Sequence, residues 1–441
     1  MATLDALAAL DYPNFEVLVI DNNTTDPALW EPLREHCRVL GDRFRFLHVE
    51  GITGAKAGAL NWAAGHTDPA AELIGVVDAD YQVHPDWLTK TVGHFTDPRI
   101  GFVQAPHAYL GHAGSRFRRW ANWEYSVFFT TGMAALNEHN AGLTVGTMSL
   151  IRRAALEEAG GWAEWCLTED SELAIRIHAL GYDSVYLNEP FGWGLIPETF
   201  TAYRKQRFRW TYGPVQEMRR HWRMFVPSWL GGRRTELTLL QQIHHGNHGL
   251  DVACIGLRAI ALPLGALSAI SMVVQHESIH MPFALYIGST AILVSSTALR
   301  LLVYRRPVGA TLAQTLSGTL AFAALHHVIV VASLTALFGR PARWERTSKF
   351  PATRRRLGAL SDTLTEAALG LTGLAVAAAL FLVDSSGLVT MFAIAVAAQS
   401  LMYLASPALA LIADRDLSTD NAAVSAAEQF KAALRAKSIS V

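Results

Sequence analysis

From about residue 250 onward the sequence offers one apolar stretch after another, and this limits the architectures open to the chain. The stretches run at about 252–274, 282–303, 364–383 and 388–412, each near the ~20 residues that a helix needs to cross a bilayer. Residues 1–235 read differently. There, apolar runs of strand length alternate with helical patterns, as in a soluble α/β domain. The whole-chain figures of 51% hydrophobic and 17% charged residues average these two halves. A formal net charge of −1 therefore excludes little, and local clusters matter more. Cys37, Cys166 and Cys254 lack metal-type spacing and fit a reducing compartment without a disulfide framework.

Charge sets the expected topology. The stretch 311–338 is apolar but interrupted by polar residues. Arg305 and Arg306 precede it, and Arg340, Arg343, Arg346, Lys349 and Arg354 to Arg356 follow it. Two basic flanks place both ends in the cytoplasm, so 311–338 is expected to be an interfacial or re-entrant helix. The loops 275–281 and 384–387 contain no Lys or Arg and are expected outside. The four crossings then leave the domain 1–235 and the tail 413–441 cytoplasmic, in a multi-pass inner (plasma) membrane protein. The membrane domain is taken as 236–412. No signal peptide opens the sequence.

In the N-terminal half, Leu4, Leu7, Ala8 and Leu10 repeat at helical spacing, and Phe15 to Asp21 reads as a buried strand. A helix at about 27–38, a strand from Phe44 to Val49, a glycine-bearing helix start at Thr53 to Asn61 and a strand from Leu73 to Val77 follow. This alternation predicts a parallel, doubly wound sheet. Such a sheet normally opens with a strand before the first helix. This sequence opens at the helix, so an N-terminally truncated domain is expected.

Three motifs carry chemistry. Asp78-Ala79-Asp80 ends an apolar run, which delivers two carboxylates to the carboxyl edge of a sheet. Hard cations need such ligands, so Asp78 and Asp80 are candidate holders of Mg²⁺ or Mn²⁺ bridging a nucleotide diphosphate. A solvated acidic turn is the plainer alternative. Thr168-Glu169-Asp170 opens a helix with Leu173, Ala174, Ile177 and Leu180 on one face. Thr168 is expected to cap that helix, with the acids at its positive end. Asp170 is also the candidate base for an acceptor hydroxyl, in a direct displacement that inverts the sugar. Gln206-Arg207-Phe208-Arg209-Trp210 combines an amide, cations and a flat aromatic face, which suits a glycan terminus or a solvated basic helix. Trp165 joins the acceptor candidates because it lies near Asp170 in sequence.

On these motifs the chain resembles processive family 2 glycosyltransferases of the cellulose-synthase-like type. It is most similar to bacterial β-glucan synthases of the β-(1→3)-glucosyl transferase kind, over about residues 3–412. The resemblance implies a GT-A-type α/β domain, with its first strand missing, followed by transmembrane helices. It implies that Asp21 contacts the nucleoside and that Lys56-Ala57-Gly58-Ala59-Leu60-Asn61 touches the nucleotide. It assigns the metal to Asp78 and Asp80, the base to Asp170, and the acceptor motif to Gln206, Arg209 and Trp210. Trp344-Glu345-Arg346-Thr347-Ser348-Lys349 resembles the gating loop of these synthases, which brings Thr347 and Lys349 to the diphosphate. The implied function is hexose transfer, from UDP-glucose, onto a growing β-glucan at the membrane, coupled to export. The alternatives are transfer of one sugar to a lipid or short acceptor, and an inactive relative or fragment. His244, His245 and His248 lack carboxylate or cysteine partners and read as a helix face. Nucleic acid is not an expected partner, since the basic segments adjoin membrane spans.

Overall fold

The computed structural model of the chain describes residues 1–275, 291, 295, 298–344, 358–383 and 387–417. Helix α1 (Ala2–Ala8) buries Leu4, Ala6 and Leu7 and leads to strand β1 (Val17–Asn22). Helix α2 (Pro27–Leu40) starts at Asp26, whose carboxylate accepts from the Ala28 amide at 3.0 Å. Pro27 sits in the first turn, where its missing N–H costs nothing. Strand β2 (Phe44–Val49) pairs with β1 in parallel and sets His48 opposite Asp21. Helix α3 (Ala55–Ala64) and strand β3 (Leu73–Val76) follow, then β4 (Gln82–Val83), α4 (Trp87–Thr91), β5 (Ile100–Gln104) and β6 (Ala108–Leu110). Helix α5 (Arg116–Val127) passes through a π-helical turn at Phe128–Gly132 into α6 (Met133–Asn137). The domain closes with β7 (Ser149–Arg152), α7 (Arg153–Glu158), α8 (Glu169–Ala179), β8 (Asp183–Tyr186), β9 (Gly192–Leu195) and α9 (Phe200–His221).

The sequence alternation predicts one parallel sheet, whereas the described strands form three. β1 and β2 make a parallel pair, the central sheet has the order β3-β7-β5-β8, and β4-β9-β6 form a third. Only part of the central sheet is parallel, because β7 runs antiparallel to both β3 and β5. A parallel strand needs a crossover, usually helical, and β7 is instead entered from the irregular segment between Asn137 and Ser149. Among the described strands, β1 and β3 each pair with one neighbour. Phe102, Val103, Leu150 and Ile151 bury the centre of the main sheet.

The helical half comprises α10 (Leu239–Val274), α11 (Leu312–Ala324), α12 (His326–Leu337), α13 (Leu364–Val383) and α14 (Gly387–Leu417). Among the described residues, Leu364–Leu382 and Val389–Leu417 are long and apolar enough to cross a membrane. The stretch expected as one helix at 311–338 is two, bent by 45° about Leu325. Together they also meet the length and composition of a span. The expected 252–274 stretch lies within the 36-residue α10, whereas most of 282–303 lies outside the described residues.

The two halves share one core. Phe117, Ala121 and Tyr125 of α5 and Tyr203 of α9 pack with Ala321, Leu325, Ile329, Ala405 and Leu409. Each fully buried aliphatic or aromatic side chain contributes about 1.5–3 kcal/mol, so this shared core is the main bond between the halves. Polar fasteners lie at its edge. Arg204 of α9 pairs with the buried Glu366 at 2.9 Å and donates to the Asp362 carbonyl at 2.6 Å. Asp416, in the last turn of α14, accepts from Ser115 Oγ and from the Phe117 amide, both at 2.7 Å. It thus caps α5 from 299 residues away in sequence. Asp416→Ala leaves two donors without their charged acceptor and is expected to destabilise the chain by about 1–3 kcal/mol. Asp416→Asn should restore most of that loss. Equal thermal midpoints for wild type and Asp416→Ala would contradict this cap.

Candidate active site

The end of β3 carries the chain to Asp78, whose amide donates to Thr147 Oγ1 at 3.0 Å. Lys56, in the first turn of α3, reaches across to donate to Asp78 Oδ1 at 2.5 Å and to the Gly146 carbonyl at 2.6 Å. Gly146 has φ +79°, a conformation that glycine adopts without penalty. Its side is crowded as well. A Cβ there would stand 2.7 Å from Asp170 Oδ2 and 3.3 Å from Lys56 Nζ. Lys56, Asp78, Gly146 and Asp170 therefore meet at one point. Asp80 Oδ2 accepts from the Leu195 amide at 3.0 Å.

The acidic turn is buried. Burial pushes Glu169 up to about 7, and the neighbouring Asp170 charge adds to the rise, while Lys56 opposes it. Asp170 is also raised by burial, against the pull of Lys56 and the Ser171 amide, which donates to its Oδ1 at 2.9 Å. For Lys56 burial disfavours the cation, but Asp78, Glu169 and Asp170 prevail and the ammonium is strengthened. Thr144 Oγ1 donates to the Asp170 carbonyl at 2.6 Å and holds the turn from the loop that carries Gly146.

The expected cap of α8 takes a different form. Thr168 occupies the N-cap position without a side-chain cap bond. Its hydroxyl donates instead to Glu217 Oε1 on α9 at 2.5 Å. The bond to Glu217 turns the hydroxyl toward α9 rather than toward the amides of its own helix.

Helix α9 presents the third motif. Gln206 is buried, and its Oε1 accepts from the Tyr125 hydroxyl at 2.5 Å. The Trp210 ring lies 5.5 Å from Tyr125 and 6.4 Å from His107. Arg209 faces Glu169, Asp78 and Asp170, though burial works against its charge, and it stands 5.1 Å over the Trp344 ring. Thr347 and Lys349 lie outside the described residues. Trp165 is set apart from Trp210: partly exposed, it lies beside Arg220 at 5.5 Å and His221 at 5.9 Å. Asp21 forms its own cluster, with its carboxylate 2.7 Å from His48 Nδ1 and 2.6 Å from Thr24 Oγ1. Trp30 stacks on His48 at 4.2 Å. Asn61 serves the loop before the acidic turn, bonding the Trp162 carbonyl and amide at 2.9 and 2.8 Å.

Several neighbours escaped sequence reasoning. Arg207 pairs with Glu124 at 2.5 Å, and Tyr203 donates to the same carboxylate at 2.8 Å. His107 lies 2.9 Å from the Val145 carbonyl and packs on Phe129 at 4.6 Å. The run Gly142-Leu143-Thr144-Val145-Gly146-Thr147 was the available signal, since two glycines and two threonines mark backbone under close approach. Among the described residues no group of three or more His, Cys, Asp or Glu side chains is arranged for a metal ion. Asp78 and Asp80 offer carboxylates of the kind a hard cation takes, with Lys56 and the Leu195 amide on one oxygen of each.

The raised carboxylates give a pH signature. Glu169 binds its proton more tightly in the fold than in the unfolded chain, so its own contribution to stability is full below pH 4.5 and is lost as pH rises to about 7. The limiting slope is about 1.4 kcal/mol per pH unit for one group. Glu169→Gln should flatten the thermal midpoint across that window, and an unchanged slope would show that Glu169 is ionised throughout.

Residues 1–213 match a family model described as "Glycosyltransferase like family 2". Two Arabidopsis thaliana proteins, "Probable glucomannan 4-beta-mannosyltransferase 15" and "Probable glucomannan 4-beta-mannosyltransferase 11", are 27% and 28% identical over 225 residues. The match covers 49% of this chain in each case, and 42% and 51% of those proteins. The chain thus spans about half the length of these curated relatives. Among solved structures, the mannosyltransferase PcManGT from Pyrobaculum calidifontis, in complex with GDP-Man and Mn²⁺, aligns with a TM-score of 0.50 at 20% identity. That alignment covers 77% of this chain and 83% of the other, and at this identity the likeness is one of fold.

Proposed function

With residues 1–213 a glycosyltransferase family 2 domain, we propose that the chain is a membrane-bound inverting hexosyltransferase that extends a β-linked glycan. The observation that carries this reading is the meeting of Lys56, Asp78, Gly146 and Asp170 at one point. A donor diphosphate placed there meets the Lys56 cation. The acceptor hydroxyl then attacks the anomeric carbon, the bond from that carbon to the phosphate oxygen breaks, and Asp170 takes the hydroxyl proton. Burial raises the basicity of Asp170, which favours that transfer. Asp78 and Asp80 would hold Mg²⁺ or Mn²⁺, which supplies charge to the departing diphosphate. Asp21 is assigned to the nucleoside and Thr347 and Lys349 to the diphosphate. Gln206, Arg209 and Trp210 are assigned to the acceptor, with Trp165 at its outer rim.

Two donors follow from different observations. The motif resemblance favours UDP-glucose and a β-glucan. The names of the curated relatives and the GDP-Man held by the solved neighbour favour mannose. Membrane placement is supported by the apolar outer faces of α13 and α14, where Leu371, Leu382, Ile394 and Leu401 are all more than half exposed. The reading places the catalytic domain at the cytoplasmic face of the inner membrane.

Membranes carrying the chain are expected to incorporate label from UDP-glucose or GDP-mannose into glycan, with the preferred donor identifying the hexose. Asp170→Asn should lower that rate by about 10²- to 10⁴-fold with donor binding retained. Normal incorporation by the variant would remove Asp170 from the role of base. A product limited to one added sugar would exclude chain extension.

A further inference from the structure

Beneath the acidic turn, α9 carries a carboxylate that the proposed chemistry does not use. Glu217 is 1% exposed. Its Oε1 accepts from Thr168 Oγ1 at 2.5 Å and from Ser171 Oγ at 2.6 Å. These two hydroxyls bracket Glu169 and Asp170. One turn earlier on α9, Gly213 brings the helix so near that a Cβ there would lie 1.9 Å from Thr168 Oγ1. The adjacent Gln216 accepts from the Leu167 amide at 3.2 Å and donates to the Trp165 carbonyl at 2.7 Å. One stretch of α9 therefore grips residues 165–171 at four points.

We propose that Glu217 is a positioning residue for Asp170: it suspends the acidic turn from α9 and so fixes the base relative to Gln206, Arg209 and Trp210 on the same helix. The inference rests on the reading of Asp170 as base. Its physical ground is a side chain whose burial nothing but this turn offsets. The groups facing Glu217 are the Thr168 and Ser171 hydroxyls, the Cys166 thiol at 4.0 Å, and the carboxylates of Asp170 and Glu172. Glu172 is itself held by Arg176 and His221. Among the described residues no cation is bonded to Glu217, and its Oε2 is buried without a hydrogen-bond partner. Burial pushes this acid up to about 8, so it is mostly neutral at pH 7 and adds little repulsion against Asp170. An apolar side chain of similar volume would fill the space but leave two buried hydroxyls without their acceptor. What the acid supplies is an acceptor oxygen between two hydroxyls.

The experiment uses the full chain in lipid nanodiscs, with Glu217→Gln and Glu217→Leu. Glutamine keeps the acceptor oxygen, whereas leucine keeps the bulk and removes it. The Leu variant is expected to have a lower thermal midpoint, because two buried hydroxyls lose their acceptor. Its amide hydrogen exchange over residues 166–173 should be at least about tenfold faster, and its kcat about 10- to 100-fold lower with donor KM within twofold. The Gln variant should stay within about threefold of wild type in all three. If Glu217→Leu misfolds, Thr168→Val with Ser171→Ala removes the donors from the other side and should reproduce the loosened turn and the lower kcat. Wild-type kcat and exchange in the Leu variant would overturn the proposal, as would a Gln variant as impaired as Leu. If wild type transfers no sugar from either donor, the exchange measurement still decides whether Glu217 holds the turn, and only the reading of the reaction falls.

Discussion

A half-buried ammonium organises the acidic edge of the N-terminal domain. Lys56 bonds Asp78 and the Gly146 carbonyl and lies in the field of Glu169 and Asp170. Three carboxylates from two distant segments would repel one another in a partly buried site, and this cation offsets that repulsion. It also explains why so much of the surrounding sequence is small. Gly146 leaves room for Lys56 and Asp170 to approach, and Gly58 lets α3 lie against the backbone of Thr53 in the loop before it. The ion pair ties α3, the end of β3 and the loop before β7 into one unit.

Helix α9 is the second organising element, because it faces three ways at once. One side carries Gln206 and Trp210 beside Tyr125, and another holds the acidic turn through Gln216 and Glu217. A third packs against α10 and α12. Arg204 and Arg207 close two buried ion pairs, with Glu366 and Glu124. Each of these pairs would be expensive to break, since one charge would remain stranded. The helix therefore links the reacting groups to the apolar half by bonds rather than by proximity alone.

Much of this was legible from the residues, and the parts that were not share one cause. Strands β1, β2 and β3 fall where apolar runs end in Asp21, Val49 and Asp78. The helix starts at Asp26 and Thr199 follow from side-chain oxygens acting on local amides. These are short-range rules. The direction of β7 was hidden because it depends on how an irregular loop re-enters the sheet. The hydroxyl of Thr168 was misjudged because its partner is 49 residues away. Nothing in the apolar run 311–338 marks Leu325 as a break, since His326 opens the second helix without a capping side chain. The catalytic motifs were visible as words, whereas Gly146 and Thr144 gain meaning only once the fold brings them beneath Asp170.

The fasteners of α13 and α14 have a mechanical consequence. Glu366 lies at the start of the first helix and Asp416 at the end of the second, so in an antiparallel pair both sit at the same end. α14 alone is 31 residues, about 46 Å long at 1.5 Å per residue. Its Asp416 end is clamped to α5, and its neighbour α13 is clamped to α9 through Glu366. Because the two clamps grip α9 and α5, any twist imposed on the hairpin arrives as relative rotation between the helices that carry Trp210 and Tyr125.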